Sequence, residues 1–576
     1  MTPPANSSVS DRRTEGADPV RTHRLRAIVV ALLFLVVSDG AIAGTAAVAA
    51  PDRHGAEAAR QVIEEGGNAV DAAIATAFVL AVTFPEAGNL GGGGFMTLHL
   101  DGRQDFLDFR ETAPAAASRD MYLDAAGAVI PDGSLVGARA AGVPGTVAGL
   151  WAAHQRYGTL PWKRLLAPAI RLARQGFVID PQLAGLLAEQ QADLAGRTNF
   201  DRYFGGLPAG TTLRQPELAA TLERIASDGP KGFYRGRTAR LIVEEMRRGG
   251  GLITAADLAA YAPVWREPLR FDWRGQQVVT APPPSSGGLA LAQLLGMKER
   301  LAPAFAGQPL NSTRYVHLVA EISKRVFADR AEYLGDPGFV DVPVARLMDP
   351  AYLDRRTAEV SLERPSSTPS VRPGLAERPQ TTHFSILDDR GNAVALTYTL
   401  NGGFGNGVVV TGAGFLLNNE MDDFSIRPGQ PNLYGVVGGR ANEIAPGKRM
   451  LSSMTPTLVL EDGRVRAIVG TPGGSTIITA VFQTLVNLRD FGLPPLAAIS
   501  AARFHHQLLP PDRIIYSRCC ALETQTVQEL RALGYTVEPS SWEFGDMQVV
   551  TVDAAGRVDA ASDVRGRGVS VVFPKP

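Results

Sequence analysis

Pro379-Gln380-Thr381-Thr382-His383-Phe384-Ser385 is the stretch whose reading decides the fold. Residues 365–380, PSSTPSVRPGLAERPQ, run into it. Pro365, Pro369, Pro373 and Pro379 rule out a long regular helix there, so the segment reads as an exposed linker. At Thr381 the texture changes. Phe384, Ile386 and Leu387 lead into Asp388-Asp389-Arg390-Gly391-Asn392, and Ala393-Val394-Ala395-Leu396-Thr397-Tyr398-Thr399-Leu400 follows. Two apolar, β-branched runs around an Asp/Gly/Asn turn predict a hairpin. Folded symmetrically about Arg390, it sets Thr381 opposite Thr399, a register that a one-residue slip would undo. Directly opposed residues lie about 4.5–5.5 Å apart at Cα, so two hydroxyls would meet at the end of the strand pair.

A threonine hydroxyl is a weak nucleophile until a base takes its proton. Cutting the Gln380–Thr381 bond would give Thr381 a free α-amine with a pKa of about 7.7–8.0. That amine is a base already attached to its nucleophile. His383 shares a strand face with Thr381 and is the other candidate base. Taken alone, the same residues also fit a surface linker entering an ordinary hairpin, which is a common motif.

Residues 381–425, TTHFSILDDRGNAVALTYTLNGGFGNGVVVTGAGFLLNNEMDDFS, resemble the start of the small subunit of gamma-glutamyltransferase. Further matching stretches keep the family's order. They are GGNAVDAAIATAF (66–78), NLGGGGFM (89–96), DFRETAP (108–114), GVPGTVAG (142–149) and PPPSSGG (282–288), then LSSMTPT (451–457), GTPGGS (470–475) and ARFHHQ (502–507). The resemblance runs from about Ala49 to about Asp563. It implies an α+β fold of the N-terminal-nucleophile hydrolase type, a four-layer αββα sandwich. Local sequence by itself gives only mixed α and β. It also implies a precursor cut once, into a large fragment (44–380) and a small fragment (381–576) that stay together as a heterodimer.

What the resemblance implies for the site is carried residue by residue. Thr381 is the nucleophile and Thr399 orients its hydroxyl. The backbone N–H groups of Gly473 and Gly474 form the oxyanion hole, where glycine lets backbone approach the reacting carbonyl. A γ-glutamyl group ends in a carboxylate and an ammonium. Arg110, Ser452 and Ser453 are the carboxylate donors, and an arginine can bind a carboxylate bidentately. Asn401, Glu420 and Asp423 are the ammonium acceptors. Taken singly, Arg110 also fits an ion pair with Glu111, Ser452-Ser453 a turn cap, and Gly473-Gly474 a turn. Pro428–Lys448 resembles the lid of bacterial members, with Tyr434 as its aromatic residue, and its glycine and proline content suits a mobile cover. The implied substrates are glutathione and other γ-glutamyl amides, with water, amino acids or peptides as acceptors and no cofactor. Some relatives are acylases of glutaryl-cephalosporins. Those substrates lack the α-amine, so Asn401, Glu420 and Asp423 favour γ-glutamyl donors. A non-catalytic secreted binding protein is the third reading, and Thr381, Thr399 and Gly473-Gly474 argue against it. The family's C-terminal SDPR is Ser562-Asp563-Val564-Arg565 here, and the tail 566–576 departs from the pattern, which leaves terminal packing open.

At 576 residues, 45% hydrophobic and 20% charged, the composition is ordinary for a globular protein. A net charge of −1 gives no support for a nucleic-acid partner or an acidic membrane surface. Arg21, Arg24 and Arg26 precede the apolar run Ala27–Val37, and Ala41-Ile42-Ala43 is a small-x-small cleavage site. Residues 1–43 therefore read as a secretory signal, and export to the periplasm or beyond is expected. The run is too short to span a bilayer, which needs about 20 apolar residues. The alternative is an uncleaved anchor, since Ala41–Ala50 prolongs the apolar character. The segment ahead of Ala27 is long for a signal, so a start further downstream stays open.

Residues 46–82 predict a short strand followed by helix, with Ala58, Val62, Ala69, Ala73 and Ala77 allowing close approach. Gly91–Gly94 reads either as backbone closely approaching the site or as a tight turn into a strand. It lacks the spacing and lysine of a phosphate loop. From Thr146 to about Asp336 the pattern is mainly helical, with a capping box at Thr254–Asp257. His317, Lys324 and Arg325 read as solvated or paired helix side chains. The adjacent His505-His506 is not enough for a metal. Cys519 and Cys520 are neighbours about 3.8 Å apart at Cα, so two thiols near a strand end are expected rather than a strained bridge.

Overall fold

Thr381–Leu387 and Ala393–Thr399 pair antiparallel, with Thr399 opposite Thr381 and Ala393 opposite Leu387. Asp388 fixes this register by closing the turn. Its Oδ1 accepts the N–H groups of Arg390 and Asn392, and its Oδ2 accepts Asn392 Nδ2, each at 2.9 Å. Gly391 takes φ 83°, a conformation open to glycine at little cost. Ala69 N also donates to Asp388 Oδ2 at 3.1 Å, which ties the turn to the start of a helix.

The computed structural model describes residues 44–366, 381–427, 429, 432–433 and 435–574. The expected signal segment, the linker with Gln380, and Tyr434 lie outside the described residues.

The hairpin lies at the middle of a seven-stranded sheet. Its order is Val569–Pro574, Thr45–Ala50, Thr381–Leu387, Ala393–Thr399, Gly93–Leu100, Arg103–Asp108, Val264–Arg266. A six-stranded sheet stacks on it, in the order Val558–Ser562, Gln548–Val552, Arg464–Gly470, Thr457–Glu461, Gln276–Thr280, Leu269–Trp273. Helices Arg53–Glu64, Ala69–Thr83 and Thr146–Tyr157 pack on the outer face of the first sheet. Helices Gly287–Arg300, Thr476–Arg489 and Pro495–Ser500 pack on the outer face of the second. This is the four-layer αββα arrangement.

Every residue of both hairpin strands is buried, because the sheet is covered on both faces. Strand alternation sorts their side chains by chemistry. Phe384, Ile386, Val394, Leu396 and Tyr398 join the apolar core beneath the first helical layer. His383, Ser385, Thr397 and Thr97 face the second sheet, and that layer is hydrogen-bonded. Ser385 Oγ donates to Gln548 O and Thr97 Oγ1 to Pro456 O, both at 2.9 Å. The same alternation turns Thr381 and Thr399 into the gap between the sheets, at its open end.

The strand and helices expected over residues 46–82 are present as Thr45–Ala50, Arg53–Glu64 and Ala69–Thr83. Both readings of Gly91–Gly94 hold together. The loop is a turn into the strand, and a Cβ at Gly92 would sit 2.0 Å from Thr399 O. The Thr254 capping box forms, with Asp257 N donating to Thr254 Oγ1 at 3.2 Å and Thr254 N to Asp257 Oδ2 at 2.8 Å. The mainly helical reading of 146–336 needs one correction. Val264–Arg266, Leu269–Trp273 and Gln276–Thr280 are strands that extend both sheets, each too short to show its period among helices. Lys324 and Arg325 are buried rather than solvated. Lys324 pairs with Asp512 at 2.6 Å and Arg325 with Glu321 at 3.0 Å. The tail is packed: Val569–Pro574 pairs along Thr45–Ala50. Both cysteines are free, just beyond the strand Arg513–Tyr516.

Candidate active site

The hydroxyls of Thr381 and Thr399 lie 3.3 Å apart. Thr399 Oγ1 also accepts Asn401 N–H at 2.8 Å, which fixes its rotamer. Asn401 sits at φ 75°, turned out of the strand, and its Nδ2 donates to Asn419 O at 3.0 Å. Asn418 and Asn419 carry the loop that follows. Asn418 Oδ1 accepts from Gly142 N at 2.8 Å and from Glu420 N at 3.1 Å. Asn419 Oδ1 accepts from Gly402 N at 2.9 Å. These bonds position the 3₁₀ turn Glu420–Asp423 beside the threonine pair.

Arg110 approaches from the end of the strand Arg103–Asp108. Its Nη1 lies 2.5 Å from Glu420 Oε2 and 3.7 Å from Glu111 Oε2, and its Nη2 pairs closely with Asp423. The guanidinium also donates to Met450 O at 3.4 Å and Leu451 O at 3.3 Å. Arg110, Glu111 and Glu420 are nearly inaccessible, and Asp423 is only slightly exposed. Burial raises Glu111 to about 8, against the pull of Arg110. Burial likewise pushes Glu420 and Asp423 above the usual carboxylate range, with Arg110 opposing it. One guanidinium does not offset three desolvated carboxyls.

Ser452 and Ser453 face this group from the other wall. Their segment is clasped by the Pro282–Gly288 stretch. Ser452 N donates to Pro284 O at 3.0 Å, Ser286 N to Ser452 O at 2.8 Å, and Ser285 Oγ to Met454 O at 2.6 Å. Gly473 and Gly474 close the site at the start of the helix Thr476–Arg489. They adopt φ 135° and 55°, and Thr476 N and Oγ1 donate to Gly473 O at 3.1 and 2.7 Å. Thr381, Thr399, Arg110, Asn401, Glu420, Asp423, Ser452, Ser453 and Gly474 line one polar cavity of about 10 Å³. A second cavity, of about 290 Å³, also reaches Thr381 and is lined by Gly473, Phe84, Trp542, Phe544 and Arg565.

The family model for gamma-glutamyltranspeptidase matches residues 55–573. The chain belongs to the gamma-glutamyltranspeptidase family. It is 58% identical over 550 residues to the glutathione hydrolase proenzyme of Pseudomonas aeruginosa, covering 95% of this chain and 98% of the relative. It is 45% identical to the glutathione hydrolase proenzyme of Escherichia coli, covering 90% of each. A cephalosporin acylase of Bacillus halodurans has the same fold, with TM-score 0.80 at 26% identity, over 92% of this chain and 96% of that one.

Nine of the ten described residues expected at the site line the polar cavity, although Arg110 and Asp423 are 313 positions apart, and Gly473 lines the second one. Arg110, expected at one end of a zwitterion, pairs here with Glu420 and Asp423, expected at the other. Opposite charges in a desolvated pocket do so strongly. His383 makes no bond to Thr381. Its Nδ1 meets Thr397 Oγ1 at 2.8 Å, its Nε2 meets Ser385 Oγ at 3.1 Å, and burial lowers its pKa to about 3. The expected lid is pinned where it is described. Asn432 Nδ2 donates to Asp423 Oδ1 at 2.8 Å and Leu433 N to Asp422 Oδ2 at 2.6 Å. The Arg110–Glu111 pairing read as an alternative for Arg110 is present, while sequence reasoning missed Asn432 and Arg330, which donates to Ser453 Oγ at 3.2 Å. Glu111 lies inside the quoted DFRETAP stretch, and Arg330 reads as one more charge on a long helix. No cluster of potential metal ligands occurs among the described residues, and no described helix is long and apolar enough to cross a membrane.

Proposed function

We propose that this chain is an exported, self-processing gamma-glutamyltransferase and glutathione hydrolase. The observation that carries the reading is the Thr381–Thr399 hydroxyl pair at the mouth of a pocket holding both a guanidinium and carboxylates. The 58% identity to a glutathione hydrolase proenzyme supports the same substrate.

The chemistry runs in two acts. In the precursor, Thr381 Oγ attacks the Gln380 carbonyl carbon and the peptide nitrogen leaves, giving an ester. Water hydrolyses that ester, leaving Gln380 with a carboxylate and Thr381 with a free amine. Residues 44–380 and 381–576 then remain associated, held by the sheet that both contribute to. In turnover, the Thr381 amine takes the hydroxyl proton and Oγ attacks the γ-carbonyl of the donor. Negative charge develops on the carbonyl oxygen, and the Gly473 and Gly474 N–H groups stabilise it. The proton passes to the departing nitrogen. Water or an acceptor amine then attacks the γ-glutamyl ester and restores Thr381. The occupied nitrogens and low pKa of His383 support the amine, rather than the imidazole, as the base.

A pocket of about 10 Å³ has room for about one water. The glutamyl head must therefore enter by exchange. Its carboxylate takes Arg110, Ser452 and Ser453, while its ammonium takes Glu420, Asp423 and Asn401. The larger cavity that also borders Thr381 suits the leaving group and then the acceptor. Tyr434 and its neighbours would cover the donor. Purified protein incubated with glutathione should release glutamate, and should form a γ-glutamyl peptide when a dipeptide is added. Absence of both products, with turnover of a glutaryl amide, would favour the acylase reading instead.

A further inference from the structure

Arg330 lies on the long helix Thr313–Tyr333, with its side chain buried. Its Nε donates to Ser286 Oγ at 2.9 Å and its Nη2 to Ser453 Oγ at 3.2 Å. Among the described residues, no carboxylate lies within ion-pair distance of it. Burial lowers its pKa to about 10, with Asp423 pulling the other way, so it remains a cation at neutral pH. A buried cation without a paired carboxylate is costly and calls for a reason.

The hydrogen-bond directions supply one. A serine hydroxyl has one proton to give. Ser453 Oγ already accepts from Arg330, so its proton must point elsewhere. Ser452 Oγ likewise accepts from Met454 N at 3.1 Å. Ser286, the other partner of Arg330, gives its own proton to Ser452 O at 2.7 Å. Both serines are thereby set as donors into the cavity that they share with Thr381. The charges agree. Arg110 is already engaged by Glu420 and Asp423, and Arg330 is the second positive charge, on the serine wall.

We propose that Arg330 is a positioning residue for the donor's α-carboxylate, acting through Ser453 and through the Ser286–Ser452 contact. The proposal rests on assigning Ser452 and Ser453 to that carboxylate, and it adds a residue to which no role in the site has been given. Arg330 also explains why the PPPSSGG stretch carries a serine at 286: the side chain joins the cation to the Ser452 backbone.

The test compares a γ-glutamyl anilide with a 4-aminobutyryl anilide, which keeps the amine and lacks the carboxylate. Wild-type protein should strongly prefer the first. Arg330→Gln should lower kcat/KM for the γ-glutamyl anilide by about tenfold or more, mainly through KM, as for loss of a charge-assisted contact. It should leave the 4-aminobutyryl anilide unchanged, and the Thr381 fragment should still form. Arg330→Lys, which keeps the charge but not the fork, should recover part of the preference. Equal losses on both donors would reduce Arg330 to a structural role and overturn the proposal. So would a preference left as in wild type. If Arg330→Gln yields no processed protein, Arg330→Lys carries the test, and an unaltered preference in it refutes the idea. A wild type with no preference between the anilides would instead sink the serine assignment itself.

Discussion

Replacing Asp423 by alanine separates the two ends of the glutamyl head. Asp423 is fixed between Arg110 and Asn432, so its carboxylate cannot swing away from the pocket. A charged hydrogen bond from the donor's ammonium is worth about 1.5–3 kcal/mol. At about 1.4 kcal/mol per decade, Asp423→Ala should lower kcat/KM for a γ-glutamyl anilide by roughly 10- to 150-fold. KM should carry most of the loss, because the ammonium is bound in both ground and transition states. Glutaryl anilide, which has the carboxylate but no amine, should be a poor substrate of wild type and barely change in the variant. Initial rates on the two anilides measure this, with the processed fraction read on a denaturing gel. Equal losses on both would show that Asp423 acts only by holding Arg110. A wild type that prefers the glutaryl donor would refute the clamp reading altogether.

Three further outcomes follow from single contacts. Processed His383→Gln should keep substantial activity in a steady-state assay, since His383 touches Thr397 and Ser385 and not Thr381; a loss of several orders of magnitude with the fold intact would make the imidazole the base. In wild type, His383 is held neutral with a pKa near 3 against an unfolded value of about 6.5, so the unfolded chain binds the extra proton and stability falls as pH drops through that window. Urea-unfolding free energies of His383→Gln should lose that contribution to the slope, about 1.4 kcal/mol per pH unit inside the window, and identical slopes would contradict the burial argument. Gly473→Ala places a Cβ 2.4 Å from Thr476 Oγ1 at φ 135°, and should lower kcat by about 10²–10³ through a displaced oxyanion donor, with near-wild-type kcat counting against that role.

The hairpin was legible because its signals are local. Asp388, Gly391 and Asn392 specify one turn, and the turn specifies one register, so Thr381 and Thr399 meet as sequence reading expects. The fold around it was legible only through resemblance. The strands Val264–Arg266 and Gln276–Thr280 are short and lie in helical surroundings, and no local period reveals which sheet they join. The site is assembled from loops hundreds of positions apart, and pairwise spacing says nothing about it. Matched motifs named Arg110, Glu420 and Asp423, but not that they would pair with each other. That outcome depends on burial and on the distances between charges. Arg330 stayed hidden for the same reason. On a helix of 21 residues rich in charge, only the three-dimensional partner, Ser453, sets it apart from Lys324 and Arg325.

The central claim is that Thr381 becomes an N-terminus and carries the γ-glutamyl group. Acid quenching of purified protein during turnover of a γ-glutamyl donor, followed by peptide mass mapping, tests it directly. The account predicts a peptide beginning at Thr381 with a γ-glutamyl increment on that residue, and neither feature in Thr381→Ala. An active chain left uncut at Gln380–Thr381, or an increment on any other residue, would contradict it.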